Sequence, residues 1–288
     1  MTSKPLRLAA AQYGIDFLQN WDDYCAKIHR WGNDAATQGA QLWLFPEYFS
    51  MELASLFPQE VYQSLSAQLT ELQSVLPDFM SLFADLAQQH GAHIVAGSFP
   101  VRQANGSYRN RSFLFYPDGT HDYQDKLQMT RFENEQWLIS SGDEIKTFAT
   151  EFGTLGINIC YDSEFPLIAR KQVEAGANLI LVPSCTDTLA GYYRVRIGCQ
   201  ARALENQCYV VQSPTVGSAP WSLAVDMNIG AAGIYTPVDY GYPDHGILAI
   251  GEFNQTQWVF ADIDLASIAH IRQTGQVFNY RDWPGQFR

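Results

Sequence analysis

Short apolar strands alternate with longer helical segments along almost the whole chain. Residues 42–45 and 179–183 are apolar runs too short to form helices, whereas residues 21–38 carry apolar side chains at helical spacing and end before Gly39. Strands that are apolar throughout are typical of sheets buried on both faces, and intervening helices cover such faces. The pattern therefore predicts a layered α/β fold, and its recurrence in the second half predicts two similar sheets packed together.

The same periodicity places the individual elements. Strands are predicted at residues 6–12, 42–45, 93–99, 111–116, 121–125, 154–160, 179–183, 209–212, 230–235, 246–251 and 257–263. Helices are predicted at residues 21–38, within 59–89, and at 165–175, 192–206 and 265–274. Because no low-complexity tract or linker interrupts this order, residues 1–288 are expected to form a single domain.

The charge of the chain narrows the kinds of partner that it can bind. It has 18 Lys and Arg against 30 Asp and Glu, a formal net charge of −12. A surface this acidic repels nucleic-acid phosphates and anionic lipids, so neither nucleic acid nor a membrane is expected as a partner. Apolar runs also stay well short of the roughly 18 residues that a membrane-spanning helix needs.

Cysteine and histidine spacing gives no sign of a metal or cofactor. The five cysteines are odd in number and show neither a C-x-x-C pair nor the repeated spacing of a zinc site. The six histidines form no metal-binding motif, and no phosphate-binding glycine loop is present, so no cofactor is expected. Because the first residues also lack the apolar core of a signal peptide, we expect a cytoplasmic location.

Three reactive side chains follow predicted strands. Glu47 comes after the strand at residues 42–45, Lys126 after residues 121–125, and Cys160 ends the strand that begins at residue 154. In α/β sheets, chemistry collects beyond the carboxyl ends of strands. A thiol acts as a nucleophile only as thiolate, so a cation and a base near it would complete a hydrolytic site. Taken alone, such a glutamate is more often a helix cap or surface acid, such a lysine is usually solvated, and such a cysteine is more often a small buried apolar residue.

Four blocks of the sequence resemble the nitrilase superfamily of carbon–nitrogen hydrolases. They are residues 44–47 (Leu-Phe-Pro-Glu), 125–127 (Asp-Lys-Leu), 156–162 (Gly-Ile-Asn-Ile-Cys-Tyr-Asp) and 202–207 (Arg-Ala-Leu-Glu-Asn-Gln). The resemblance runs from about residue 6 to residue 263 with the blocks in the expected order. It implies a four-layer αββα sandwich of two similar mixed sheets, with a Glu–Lys–Cys triad.

The resemblance also implies a role for each site residue. Cys160 would attack the substrate carbonyl and form a thioester, and Glu47 would act as general base and then acid. Lys126, with the backbone N–H of Tyr161, would hold the developing oxyanion. Many family members carry a second carboxylate after the lysine, and Glu133 is the best match here, with Glu135 as a rival.

The residues after the nucleophile bear on the substrate. Nitrilases proper tend to have Trp-Glu after the cysteine, whereas Tyr161 and an aspartate follow here, which resembles the amidase-like branch. Glu164 stands where related amidases often place an arginine that binds a substrate carboxylate, and one carboxylate does not bind another. A small neutral or cationic amide is therefore expected, with amidase and carbamoyl-amine hydrolase both open. Trp221, on the long loop at residues 213–228, is a candidate for the substrate pocket.

Two other functions remain open at the level of sequence. A thioester can be intercepted by an amine, which would make the protein a soluble acyltransferase with the same triad. A non-catalytic scaffold subunit of the same fold is the second alternative, although all three triad positions carry usable chemistry. The resemblance further implies a homodimer or larger homo-oligomer. The sequence identifies neither the acyl nor the amine portion of the substrate.

Overall fold

The computed structural model describes residues 5–287, whose strands form two mixed sheets that meet at one point. The strands are β1 (Leu6–Gly14), β2 (Leu42–Leu44), β3 (His93–Val95), β4 (Phe99–Arg102), β5 (Tyr108–Phe115), β6 (His121–Asp125), β7 (Thr147–Thr150), β8 (Gly153–Ile157), β9 (Ala177–Ser184), β10 (Tyr209–Ser218), β11 (Met227–Asn228), β12 (Gly233–Tyr235), β13 (Ile247–Ile250) and β14 (Gln257–Ile263). The helices are α1 (Trp21–Thr37), α2 (Gln59–Tyr62), α3 (Leu65–Glu71), α4 (Leu76–His90), α5 (Pro166–Glu174), α6 (Leu189–Asn206), α7 (Leu265–Thr274) and α8 (Asn279–Asp282). Every helix among these residues is too short or too polar to cross a membrane.

The first sheet is built around β1. Strands β1, β2 and β3 are parallel neighbours, and β5 follows them antiparallel, flanked by β4 and β6. The last strand, β14, returns from the far end of the chain and pairs antiparallel with β1 from Leu6 to Gln12. The first sheet therefore needs residues from both ends of the chain.

The second sheet has the same kind of parallel centre. Strands β8, β9 and β10 are parallel neighbours, with β7, β12 and β13 added antiparallel around them. The two sheets share one short parallel pairing, in which Tyr13 and Gly14 of β1 lie opposite Thr215 and Val216 of β10.

Alternation along β1 shows how the layers stack. Leu8 and Ala10 point into the apolar cluster that contains the strands of the second sheet, whereas Ala9 and Ala11 point into the cluster formed with helices α1 and α4. Because successive side chains of a strand face opposite sides, the sheets pack face to face and the helices lie outside them. This confirms the predicted four-layer αββα sandwich.

Several predicted elements are shorter or more broken than the periodicity suggested. The predicted helical stretch at residues 59–89 is three helices, because Ser64 caps the start of α3 by accepting from the Ala67 N–H and Pro77 starts α4. The predicted strand at 93–99 stops at β3, because Gly97 has φ +51° and turns the chain before β4.

A buried charged cluster that the sequence pattern does not predict lies between the first sheet and α1. Lys27 donates to Oε1 of Glu52, to the Gly14 carbonyl at 2.6 Å and to Asp16 at 2.7 Å. Oε2 of Glu52 accepts a hydrogen bond from the Tyr13 hydroxyl at 2.5 Å. Lys27 and Glu52 are both buried, so this ion pair belongs to the packed interior.

Candidate active site

Glu47 lies just beyond β2, in a tight turn that buries its side chain. Its neighbour Tyr48 has φ 54°, and the Tyr48 N–H donates to Oγ of Ser98 at 2.9 Å. Gly97 packs directly behind this turn, where a Cβ would lie 2.0 Å from the Pro46 carbonyl oxygen. The position of Glu47 therefore depends on a glycine that is distant in sequence and could not be replaced without moving the turn.

Lys126 follows β6 and extends its side chain to the same place. Its ammonium donates to Oε1 of Glu47 at 2.8 Å and to Oε2 of Glu133 at 2.6 Å, and all three side chains are buried. Its backbone N–H donates to the carbonyl of Asn110 at 2.8 Å, which anchors the segment to β5. One lysine thus bridges two carboxylates that lie far apart in the sequence.

Cys160 follows β8 and begins a short 3₁₀ turn at Cys160–Glu164. Its φ of 49° is in the left-handed region, which is strained for a residue with a side chain. The Ser163 hydroxyl donates to the Cys160 carbonyl at 2.6 Å and helps to hold this conformation. The thiol is buried, and its sulfur lies 3.8 Å from the carbonyl oxygen of Cys185.

One cavity of about 340 Å³ brings the predicted residues together. Glu47, Lys126, Cys160 and Glu133 all line it, although they come from both sheets. Tyr161 and Glu164, which follow the thiol in the sequence, line it as well. The arrangement has a nucleophile, a carboxylate and an ammonium around one space that can hold a small molecule.

The structure separates the two candidates for the second carboxylate. Glu133 accepts hydrogen bonds from Lys126, from the Tyr48 hydroxyl at 2.7 Å, and from the N–H and hydroxyl of Thr130, each at 2.9 Å. Glu135 is instead paired with the exposed Arg131 at the protein surface. The carboxylate seven residues after the lysine is therefore the one beside it.

Electrostatics give the two buried glutamates different properties. Burial raises the pKa of Glu47, and Glu133 adds to that rise while Lys126 opposes it. Burial also disfavours the ionised form of Glu133, but Lys126 and the surrounding hydrogen-bond donors outweigh it and lower the pKa of Glu133. Glu133 therefore remains ionised as the counter-charge of Lys126, and Glu47 is the carboxyl suited to accept and release a proton.

The pKa values of Lys126 and Cys160 are both raised, but for different reasons. Burial by itself would lower the pKa of Lys126, but Glu133 and Glu47 raise it well above its ordinary value. Burial and then Glu47 raise the pKa of Cys160 well above its usual range, against the opposing effect of Lys126. A thiol with a raised pKa is mainly protonated, so a reaction that uses it as a nucleophile needs a base to remove the proton.

Two residues predicted to contact the substrate are placed differently from one another. Glu164 lines the cavity, but its carboxylate faces Arg194 of α6 at 3.6 Å. Trp221, which was predicted to contact the substrate, does not line this cavity. Its ring packs edge-on against Phe17 and Tyr62, with centroids 5.3 and 5.9 Å away. The same loop reaches the cavity through other residues, namely Leu223, Ala224, Asp226 and Met227.

Sequence reasoning missed three residues that hold the carboxylates. The side-chain amide of Asn110, on β5, donates to Oε1 of Glu47 at 2.9 Å. The backbone N–H of Cys185, just after β9, donates to Oε2 of Glu47 at 3.0 Å. Tyr48, which binds Glu133, directly follows Glu47 in the sequence, and this adjacency was the only available signal.

Comparisons with known proteins identify the family of the chain. The family model for carbon–nitrogen hydrolases matches residues 7–273. The probable hydrolase YhcX of Bacillus subtilis is 36% identical over 278 residues, which cover 96% of this chain and 53% of that protein. The chain therefore spans about half the length of that relative. The omega-amidase NIT2-B of Xenopus laevis is 28% identical over 276 residues, covering 93% of this chain and 91% of that protein.

A solved structure shows the same fold. It is a mutant of the amidase from Nesterenkonia sp. AN1, in which the acetamide moiety of fluoroacetamide is covalently added at the active site cysteine. It superposes with a TM-score of 0.68 at 20% sequence identity, covering 94% of each chain. At this identity, the likeness concerns the fold alone.

Proposed function

The chain belongs to the carbon–nitrogen hydrolase family, in the amidase-like part of the nitrilase superfamily, and from this premise we propose that it hydrolyses the carbon–nitrogen bond of a small amide through a Cys160 thioester. One observation carries the proposal. Glu47 and Lys126 are hydrogen-bonded at 2.8 Å, both are buried, and both line the cavity that contains the Cys160 thiol. A scaffold subunit would have no use for two buried charges and a thiol around one space, because burying charge is costly.

The first step forms the thioester. Glu47 accepts the thiol proton while the sulfur of Cys160 attacks the amide carbonyl, and the carbonyl oxygen takes up the electron pair as an oxyanion. An ammonium has three N–H donors, and Lys126 uses two of them on Glu47 and Glu133. The third remains available for the oxyanion, with the backbone N–H of Tyr161 as the second donor.

The second step releases the products. The oxyanion collapses, the carbon–nitrogen bond breaks, and Glu47 gives its proton to the departing ammonia or amine. Water then enters the cavity, Glu47 accepts a proton from it, and the resulting hydroxyl attacks the thioester carbonyl. The carboxylic acid leaves as Cys160 recovers its proton. Glu133 keeps Lys126 oriented and charged throughout.

The charges around the cavity favour a neutral or cationic amide as the substrate. Arg131 and Arg194, the two arginines that line it, are each paired with a carboxylate already. Asp187 and Asp226 add two further carboxylates to the lining, and both are exposed. A substrate with a free acid group would meet net negative charge, whereas an amine or an uncharged group would not.

A pair of matched cysteine variants tests the reaction. Cys160→Ser should abolish hydrolysis of amides that the parent protein cleaves, whereas Cys185→Ser, which removes the other thiol of the cavity, should keep most of it. In the Glu47→Gln variant, the thioester should form slowly and persist, so intact-protein mass should rise by the acyl portion of the substrate. Equal activity in the two cysteine variants would contradict the proposal. Transfer of the acyl group to an amine, without hydrolysis, would contradict it as well.

Three substrates separate the possible specificities. A neutral aliphatic amide, a carbamoylated amine and an α-ketoacid amide differ in the charge that they bring into the cavity. The first two should be turned over with a higher kcat/KM than the third. Preference for the ketoacid amide would overturn the assignment of substrate charge while leaving the thioester mechanism in place.

The outer face of α6 supports the proposal that the protein forms a homodimer or larger assembly. Tyr193, Ile197 and Leu204 are exposed on this helix, and Ile197 keeps 63% of its surface accessible. Apolar side chains on an exposed helix face are stabilised when a second copy covers them. Sedimentation velocity of the protein and of an Ile197→Glu variant should show the variant shifted to a smaller species.

A further inference from the structure

Asp162 is a buried carboxyl that the proposed reaction does not use. It lies two residues after Cys160, has no exposed surface, and is absent from the lining of the cavity. A buried carboxyl costs free energy unless its oxygens are hydrogen-bonded. Its hydrogen bonds therefore indicate what it contributes.

Those hydrogen bonds join two separate segments of the chain. On one side, Oδ1 of Asp162 accepts from the backbone N–H of Gln128 at 2.7 Å and from that of Leu127 at 3.2 Å. On the other side, Oδ2 accepts from the N–H of Ile159 at 3.1 Å, and it shares the Leu127 N–H with Oδ1 at 3.3 Å. The first two residues directly follow Lys126 and the third directly precedes Cys160.

This bridge spans the two sheets of the sandwich. Lys126 follows β6 of the first sheet, and Cys160 follows β8 of the second. Because the sheets share only a short pairing between β1 and β10, the strands themselves do not fix the distance between the ammonium and the thiol. The carboxyl of Asp162 connects the backbone next to Lys126 with the backbone next to Cys160.

We propose that Asp162 is a positioning residue that aligns Lys126 with Cys160, so that the oxyanion forms within reach of the ammonium. It does so without contacting the substrate. This inference rests on the proposed function only for its effect on turnover. The alignment itself also governs how readily the thiol ionises, because Lys126 is the cation that favours the thiolate.

Asparagine is a suitable probe at this position. Burial raises the pKa of Asp162 to about 7, while Lys126 and the backbone N–H donors oppose that rise. Asp162→Asn changes the hydrogen bonding at this position while keeping its size and shape. Asparagine keeps one acceptor oxygen and places a donor where the other stood, so it loses the hydrogen bond from either Gln128 or Ile159. Asp162→Glu is the complementary probe, since it keeps both oxygens and moves them by one methylene.

The experiment compares these two variants with Glu52→Gln, which alters a buried carboxylate outside the site. Four quantities are measured on folded protein: kcat and KM for the best amide, the rate at which iodoacetamide adds to Cys160, followed by mass spectrometry, and the urea midpoint. Both Asp162 variants should lose about 10- to 100-fold in kcat, since a displacement of about 1 Å costs that much, with KM within about threefold. Alkylation of Cys160 should slow by at least about fivefold, and Glu52→Gln should change neither rate.

The outcomes separate this inference from the proposed function. If the Asp162 variants lose only stability, with kcat and alkylation matching Glu52→Gln, the positioning role is overturned. If the parent protein cleaves no amide but alkylation slows as expected, the proposed function fails and the alignment stands. If both Asp162 variants fail to fold, the inference is overturned, because the carboxyl would then serve the fold rather than the alignment.

Discussion

Residues 5–287 contain two buried clusters in which a lysine contacts glutamate, and the clusters differ in how many N–H donors the lysine has unused. Lys27 donates to Glu52, to Asp16 and to the Gly14 carbonyl, so its three N–H groups are all used. Lys126 donates to two glutamates and retains one N–H. In the first cluster Lys27 and Glu52 are buried and the exposed Asp16 lies at its edge, whereas the second cluster borders a cavity that also contains a thiol.

The comparison shows that a buried ion pair is not by itself a sign of catalysis. Glu52 and Glu47 are five residues apart, on either side of one turn, and burial raises the pKa of both. What distinguishes them is a cavity next to the charges of the second cluster, lined by a lysine that has one N–H left to donate. The following predictions test this distinction, beginning with the largest expected effect.

Replacing each lysine by methionine should have different effects on activity. Lys126→Met removes the ammonium that would hold the oxyanion, so kcat/KM should fall by at least about 10⁴-fold, with Glu47 and Glu133 sharing a proton instead. Lys27→Met should keep kcat of the folded protein within about threefold. Steady-state kinetics at a temperature where both variants are folded gives the answer. Comparable losses in the two variants would remove the distinction between the clusters.

Stability provides a separate test of the first cluster. Lys27→Met leaves Glu52 as a buried charge without its cation, and breaking a buried pair in this way costs about 3–5 kcal/mol of the free energy of unfolding. Urea denaturation of Lys27→Met and of the Lys27→Met/Glu52→Gln double variant measures this cost. The double variant should recover part of the loss. An unchanged urea midpoint in the single variant would show that the pair does not support the core.

A tyrosine in each cluster offers a smaller and better matched test. Tyr48 donates to Glu133 at 2.7 Å and Tyr13 donates to Glu52 at 2.5 Å, and both are buried. A hydrogen bond to a charged group contributes about 1.5–3 kcal/mol, so each change to phenylalanine should cost about that much. In Tyr48→Phe the cost should appear mainly as a kcat reduced about tenfold or more. In Tyr13→Phe it should appear only in the urea midpoint, and a kcat effect there would argue against the separation.

The smallest effect concerns the dependence on pH. Glu47 must be ionised to accept a proton, and its pKa is raised from 4.5, so activity should increase with pH through a midpoint above that value. The raised pKa of Glu52 acts on stability instead. Its folded form favours the proton, so its contribution decreases as pH rises from 4.5 through the raised value. Profiles of kcat/KM should therefore have the same midpoint in the parent and in Glu52→Gln, and a shifted midpoint would contradict the assignment.

Much of the fold and part of the site follow from local sequence. The strands and helices were predictable because burial on one or both faces leaves a periodic trace, as in β14, which was predicted with its observed bounds. Glu47, Lys126 and Cys160 could be singled out because each stands where an apolar strand gives way to polar residues. Helix breaks within residues 59–89 were missed, since one serine and one proline interrupt an otherwise continuous apolar pattern.

The residues that hold the site could not be found in this way. Asn110 lies inside a strand and binds Glu47 across 63 positions of sequence, and nothing in its neighbours indicates such a contact. Lys27 is on an amphipathic helix, where a lysine is ordinarily expected in water. Asp162 was noted only as part of a motif, because its partners lie on a distant segment. These contacts depend on the packing of elements, which one-dimensional periodicity does not encode.

The return of β14 to β1 affects how the chain could be divided. A break between residues 138 and 147 would leave Glu47, Lys126 and Glu133 on one fragment and Cys160 on the other, while β14 would be separated from the strand that it pairs with. The first fragment would lack one strand of its sheet, and neither fragment would contain a full set of reacting groups. If turnover returned when the two fragments were mixed, the fragments must have assembled, because the reacting groups are divided between them.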